Sequence, residues 1–88
     1  MTKLILFYCP DCPDTAPFVA ELQRLGVQYE EVEILSSLAN FKQFLRLRDS
    51  KAAFDNAKVN GSAGIPALLL EDGRVILDHA ELAKIFAK

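Results

Sequence analysis

The sequence runs to 88 residues, 51% of them apolar and 25% charged, with a formal net charge of −2. That length suits one compact domain rather than two, and the mixed composition is globular rather than disordered. Mild acidity speaks against a general nucleic-acid binder, which neutralises phosphates with clustered Lys and Arg, and no apolar run approaches the roughly 20 residues needed to span a bilayer.

The first element is the run Leu4-Ile5-Leu6-Phe7-Tyr8. It is too short for the apolar core of a secretory signal and no small-residue cleavage site follows, so it reads as a strand of a cytoplasmic protein. An unbroken apolar run of this length suits a strand buried on both faces of an α/β sheet. Residues 9–15, Cys-Pro-Asp-Cys-Pro-Asp-Thr, read as a helix start, because proline is tolerated in a first turn and acids complement the positive helix end. Phe18, Leu22 and Leu25 then follow at helical spacing with Val19 beside them, and Gly26 supplies the stop.

Residues 27–35 alternate in part, slip at Glu30-Glu31, and are expected to form a second strand. Ser36 and Ser37 can cap the next helix, with Leu38, Phe41, Leu45 and Arg48 along its inner side and Phe44 and Leu47 widening the stripe. Basic residues gather here: Lys42, Arg46, Arg48 and Lys51. They make either a solvated helix face or a docking patch for an acidic partner or a carboxylate. Ser50 is read as the cap of a further short helix carrying Ala53, Phe54 and Ala57 and ending near Asn60-Gly61. After the loop 61–65 and Pro66, residues 67–71 form a strand. Asp72-Gly73 is a two-residue hairpin signal returning through residues 74–77. Asp78 caps a last helix whose inner face is Leu82, Ile85 and Phe86. A strand–helix–strand opening implies a parallel pair with a right-handed crossover, and the closing hairpin adds antiparallel strands.

Chemistry points to the two cysteines, Cys9 and Cys12. A bridge between them would close a tiny loop and tie nothing distant together, so it has little structural use. Thiol–disulfide exchange, by contrast, needs an accessible thiolate and a second thiol near enough to resolve the mixed disulfide. Two intervening residues at a helix start are expected to supply both. The first cysteine then faces unpaired backbone N–H groups, and the second lies one turn deeper. C-x-x-C next to a β-α-β pattern in a cytosolic chain is a strong redox signature. A closed zinc site needs four ligands, and His79 is the single histidine available beside the two cysteines, so no metal site is expected within one chain. A cluster shared between two chains stays open. His79 itself is expected at the surface or in a capping role.

Phe7-Tyr8-Cys9-Pro10-Asp11-Cys12 resembles the C-P-x-C centre of dithiol glutaredoxins. Gly64-Ile65-Pro66 falls where that family carries its cis-proline loop, and the Asp72-Gly73 hairpin and closing helix follow in the family's order. Thioredoxins proper match less well, since they carry Trp before a C-G-P-C centre and this sequence has no Trp. The resemblance implies an α/β thioredoxin fold over residues 1–88: a four-stranded mixed sheet flanked by helices, β-α-β-α-β-β-α, with an extra short helix before the third strand. It implies Cys9 as nucleophile and Cys12 as resolving thiol. It also implies a cis Ile65–Pro66 bond, which proline alone makes cheap, packed across from the cysteines. The backbone before Pro66 would pair with an extended substrate segment.

Substrate contacts are accordingly expected from Tyr8, Pro10, Asp11, Ile65, Pro66 and Asp78. No bound cofactor is expected. The reductant would be glutathione or a flavin-dependent enzyme of the thioredoxin-reductase type, and the substrates disulfides of proteins or small molecules. A cytoplasmic monomer without nucleic-acid or membrane partners is expected. The sequence departs from glutathione-using members in two places. Leu6, Phe7 and Tyr8 stand where a Lys precedes the first cysteine, and Ile76-Leu77-Asp78-His79-Ala80-Glu81 replaces a Gly-Gly followed by Asp. Residues 36–64 also form a longer connection than usual. Two other classes stay open from sequence: an iron–sulfur or metal carrier using Cys9, and a redox-inactive binding module.

Overall fold

Alternation along the first strand decides which side of the sheet each residue serves. In the computed structural model, which describes residues 4–61 and 64–86, β1 (Ile5–Tyr8) sends Leu4 and Leu6 into one buried cluster and Phe7 and Cys9 into another. This is the two-faced burial expected of an unbroken apolar run. β2 (Glu30–Glu33) pairs with β1 in parallel, β3 (Ala67–Leu69) pairs with β1 antiparallel, and β4 (Val75–Ile76) closes a hairpin on β3. The sheet order is β2-β1-β3-β4. α1 (Thr15–Arg24) and α4 (Leu82–Phe86) cover one face through Phe18, Leu22 and Leu82. α2 (Leu38–Ser50) and the 3₁₀ turn Ala52–Phe54, which runs into α3 (Asp55–Val59), cover the other through Phe44 and Phe54. The mixed four-stranded sheet flanked by helices, with its extra short helix before the third strand, is therefore the fold that forms.

Local chemistry moves several boundaries. α1 begins at Thr15, beyond both cysteines, and not at the C-x-x-C motif itself. Pro13 disfavours helical backbone at the residue before it, which keeps Cys12 out of the helix. Pro17 is harmless in the first turn, where its missing N–H would have been unpaired anyway. At the other end Gly26, at φ +70°, closes α1 as expected: its N–H donates to Gln23 O at 3.1 Å and that of Val27 to Leu22 O at 3.0 Å, a glycine-terminated cap. Using Val27 in that cap shortens the second strand from the expected 27–35 to β2 alone.

The inner side of α2 also differs from expectation. Phe44 is its buried residue, with Leu47 packed beside it, while Leu38 and Phe41 face solvent. Apolar residues ring more of this helix than the sheet can cover, so periodicity alone could not choose the stripe. Ser37 caps α2 by accepting from Asn40 N at 3.1 Å, whereas Ser50 ends the helix, its hydroxyl turned back to Leu47 O. The Asp72-Gly73 turn is a three-residue loop, 71–73, rather than a two-residue one. Asp72 Oδ1 accepts from Arg74 N at 3.0 Å, leaving only Gly73, at φ +94°, with left-handed backbone. Asp78 caps as expected, accepting from Ala80 N at 3.0 Å, but a 3₁₀ turn over His79–Glu81 intervenes before α4. Ser62 and Ala63, in the loop before Pro66, lie outside the described residues.

Candidate active site

The strand that ends at Tyr8 delivers Cys9 to the carboxyl end of the sheet, where sites of α/β folds form. From there the chain turns back on itself: Cys12 N donates to Cys9 O at 3.1 Å, and Thr15 N to Cys12 O at 3.1 Å. A second donor reaches the same Cys9 carbonyl, the Thr15 hydroxyl at 2.8 Å. Thr15 is 8% exposed and is the buried polar residue of the core among the described residues. Its place follows from Pro13, which starts α1 late and puts a hydroxyl at its first position. Sequence reading missed Thr15. The signal for it was a hydroxyl-bearing residue three positions after the second cysteine, just where a helix could begin.

Both cysteines are free thiols. Cys9 is 7% exposed and packs with Phe7, Ile34, Phe44, Phe54 and Ala67, while Cys12 is the more exposed of the two. The expected order of depth, with the second sulfur one turn deeper, is thus reversed. Because Cys12 precedes the helix, it rides on the surface turn instead of the inner face of α1.

The cis-proline loop comes to the dithiol. The Ile65–Pro66 bond is cis, Pro66 is buried, and Cys12 Sγ donates to Ile65 O at 3.7 Å. Ile65 packs half-buried against the cluster that holds Cys9. Pro10 and Asp11 are exposed on the turn between the cysteines. Tyr8 points elsewhere: it packs on the α1–α4 side of the sheet, opposite Cys9. Partial burial raises its phenol above the usual value, helped by the Glu31 and Glu33 carboxylates and by a hydrogen bond to Glu31. Asp78 is exposed and engaged in capping, and His79 beside it is exposed as expected. A concavity lined by Leu4, Leu70, Arg74 and Phe86 lies at the opposite end of the sheet from the cysteines. Among the described residues no group of His, Cys, Asp and Glu converges on a metal position, and no helix is long and apolar enough to cross a membrane.

This fold, with Cys9 directly after its first strand and Cys12 on the turn beyond, is the α/β fold that glutaredoxins share. The crystal structure of the glutaredoxin (grx-1) from Archaeoglobus fulgidus superposes with a TM-score of 0.68, covering 100% of this chain and 89% of that one at 18% sequence identity. At that identity the likeness speaks for the fold alone. An uncharacterized protein of Haemophilus influenzae (strain ATCC 51907 / DSM 11121 / KW20 / Rd) is 67% identical over 86 residues, 98% of this chain and 100% of its own length, and the chain belongs to the same family. No family model matches the sequence.

Proposed function

We propose that this protein is a thiol–disulfide oxidoreductase that reduces protein or low-molecular-weight disulfides through the Cys9–Cys12 pair. The observation that carries the reading is the convergence of two free thiols on one hydrogen-bonded turn, with the carbonyl before a cis-proline against the second of them. In the reaction, one thiolate attacks a substrate disulfide, forming a mixed disulfide and expelling the first substrate thiol. The second cysteine, as thiolate, displaces the other substrate thiol and leaves a Cys9–Cys12 bridge. Two electrons pass to the substrate. They are restored by two molecules of glutathione or by a flavin-dependent reductase of the thioredoxin-reductase type, so no bound cofactor is required.

Ile65 stands against the thiols with Pro66 buried beside it, and the Ile65 backbone is the part of this loop offered for strand-like pairing with the substrate. Pro10 and Asp11 form the rim, and Asp78 lies on the segment that follows β4. The resemblance to dithiol glutaredoxins favours Cys9 as the attacking thiol. The greater exposure of Cys12 favours a second reading, in which Cys12 attacks and Cys9 resolves. Single-cysteine variants decide both points. Cys9→Ser and Cys12→Ser are each expected to abolish turnover of a protein disulfide, and the variant that still accumulates a mixed disulfide by mass spectrometry retains the attacking thiol. Full activity in both would overturn the redox reading.

A further inference from the structure

Three large apolar side chains stand in solvent at one place. Leu35 is 64% exposed, Leu38 66% and Phe41 37%, all where β2 leads into α2. Scattered exposed apolar residues need no explanation, but a local group beside a reactive centre does. This group is beside the dithiol: Ile34 N donates to Tyr8 O at 3.0 Å, and Ile34 packs in the same buried cluster as Cys9. The segment is also fixed. Asn40 Nδ2 donates to Glu33 O at 3.1 Å and to Ser36 Oγ at 2.8 Å, the Ser36 hydroxyl donates to Glu33 O at 2.8 Å, and Ser37 caps the helix. Leu35 and Leu38 are therefore held outward by a tied junction.

Charge continues the pattern. Lys42 and Arg46 follow Leu38 at one-turn intervals along the exposed side of α2, and neither has an ion-pair partner among the described residues. The nearby acids sit apart from that stripe, with Glu30, Glu31 and Glu33 on β2 and Asp11 and Asp14 on the cysteine turn.

Resting on the redox reading above, we propose that this face docks the protein substrate of the dithiol: a cysteine-bearing segment with an apolar residue near its cysteine and acidic residues beyond. Two arguments choose this occupant. The apolar group follows the end of β2 that pairs beside the β1 end leading into Cys9, the side from which a substrate disulfide has to arrive, and covering Leu35 and Leu38 buries apolar area there. The two exposed cations farther along, Lys42 and Arg46, select an acidic continuation and steer its approach.

The test compares two peptides of equal length, each with one cysteine joined by a disulfide to a chromogenic aryl thiol and a leucine close by. One continues in glutamates, the other in lysines. The acidic peptide is expected to show kcat/KM about tenfold higher at low salt, a gap that closes as salt shortens the screening length. The Lys42→Glu/Arg46→Glu double variant should reverse the preference, and Leu38→Ser should slow both peptides by a few fold. A small neutral substrate, hydroxyethyl disulfide, should be reduced equally by the wild type and all variants.

Equal rates on the two peptides would overturn the proposal. So would variants that slow hydroxyethyl disulfide as much as the peptides, or a dependence on Lys42 and Arg46 confined to a glutathione mixed disulfide. If the wild type reduces none of these substrates, the redox reading itself falls and takes this proposal with it.

Discussion

On the α1–α4 side of the sheet the core is mostly leucine, with Leu4, Leu6, Leu22, Leu68, Leu70 and Leu82 around Phe18. On the α2–α3 side it is mostly aromatic: Phe7, Phe44 and Phe54 with Ile34, Ala67 and Cys9. The rings interlock. Phe44 lies 5.9 Å from Phe7, tilted by 43°, and 5.8 Å from Phe54, edge to face at 82°. Such pairs prefer specific orientations, whereas leucines repack more freely. Phe54 also fits against Gly64: a Cβ there would lie 2.7 Å from Phe54 Cδ1, and Gly64 sits at φ +88°. The loop carrying Ile65 and Pro66 is thus seated on an aromatic ring, and Cys9 is packed among others. The leucine side holds the sheet together, and the aromatic side mounts the candidate site.

Truncating one large residue on each side tests that division most severely. Phe54→Ala is expected to cost about 3–5 kcal/mol and Leu22→Ala about 2–5 kcal/mol, since both residues are fully buried. Urea unfolding measures these losses. Disulfide reduction, measured where each variant is still folded, should then separate them. Phe54→Ala loses activity beyond its loss of folded protein because the proline loop is unseated, while Leu22→Ala keeps the activity of its folded fraction. Equal activity per folded molecule would erase the distinction between the two sides.

Much of this was legible in the residues. The run 4–8, the glycine stop at Gly26, the capping by Ser37 and Asp78 and the C-x-x-C at the end of a strand all follow from local rules that the fold leaves intact. What was not legible depends on competition. Apolar residues circle α2, so only the shape of the sheet could make Phe44 the inner residue and leave Leu38 outside. Pro13 could either sit in a helix or delay it, and its effect on Cys12 outweighs its tolerance at a first turn. That delay reversed the depth of the two sulfurs and put Thr15 beneath the turn.

Thr15 supports the dithiol turn from α1 through a side-chain hydrogen bond, so it sharpens the comparison. Thr15→Val keeps the shape and removes one of the two donors to the Cys9 carbonyl. A loss of about 1 kcal/mol in stability is expected, near that of a typical hydrogen bond. The looser turn makes closing the Cys9–Cys12 bridge less favourable. Equilibration with glutathione buffers should therefore give a potential less negative by about 20 mV, and Thr15→Ser should restore most of the wild-type value. An unchanged potential in Thr15→Val would reduce Thr15 to a filler of space.

The smallest effect lies wholly on the leucine side. Tyr8 and Tyr29 both pack against that cluster, and burial raises both phenols above 10.0, with Glu31 and, at Tyr8, Glu33 adding to it. Raised values mean that the folded chain keeps protons the unfolded chain has begun to release. Stability is therefore insensitive to these groups below about pH 10 and falls as the pH rises beyond it. Ultraviolet titration of the phenolates should show both tyrosines ionising late. Glu31→Gln removes a neighbouring charge from both, and from Tyr8 the carboxylate that accepts its hydroxyl proton, so both midpoints should move down, Tyr8 the farther, without reaching the unburied value because burial remains. Disulfide reduction should be untouched, because the Tyr8 ring and the Cys9 sulfur lie on opposite sides of β1. A Glu31→Gln variant with altered reduction kinetics would join Tyr8 to the redox chemistry after all, and the two sides of the sheet would no longer divide the labour.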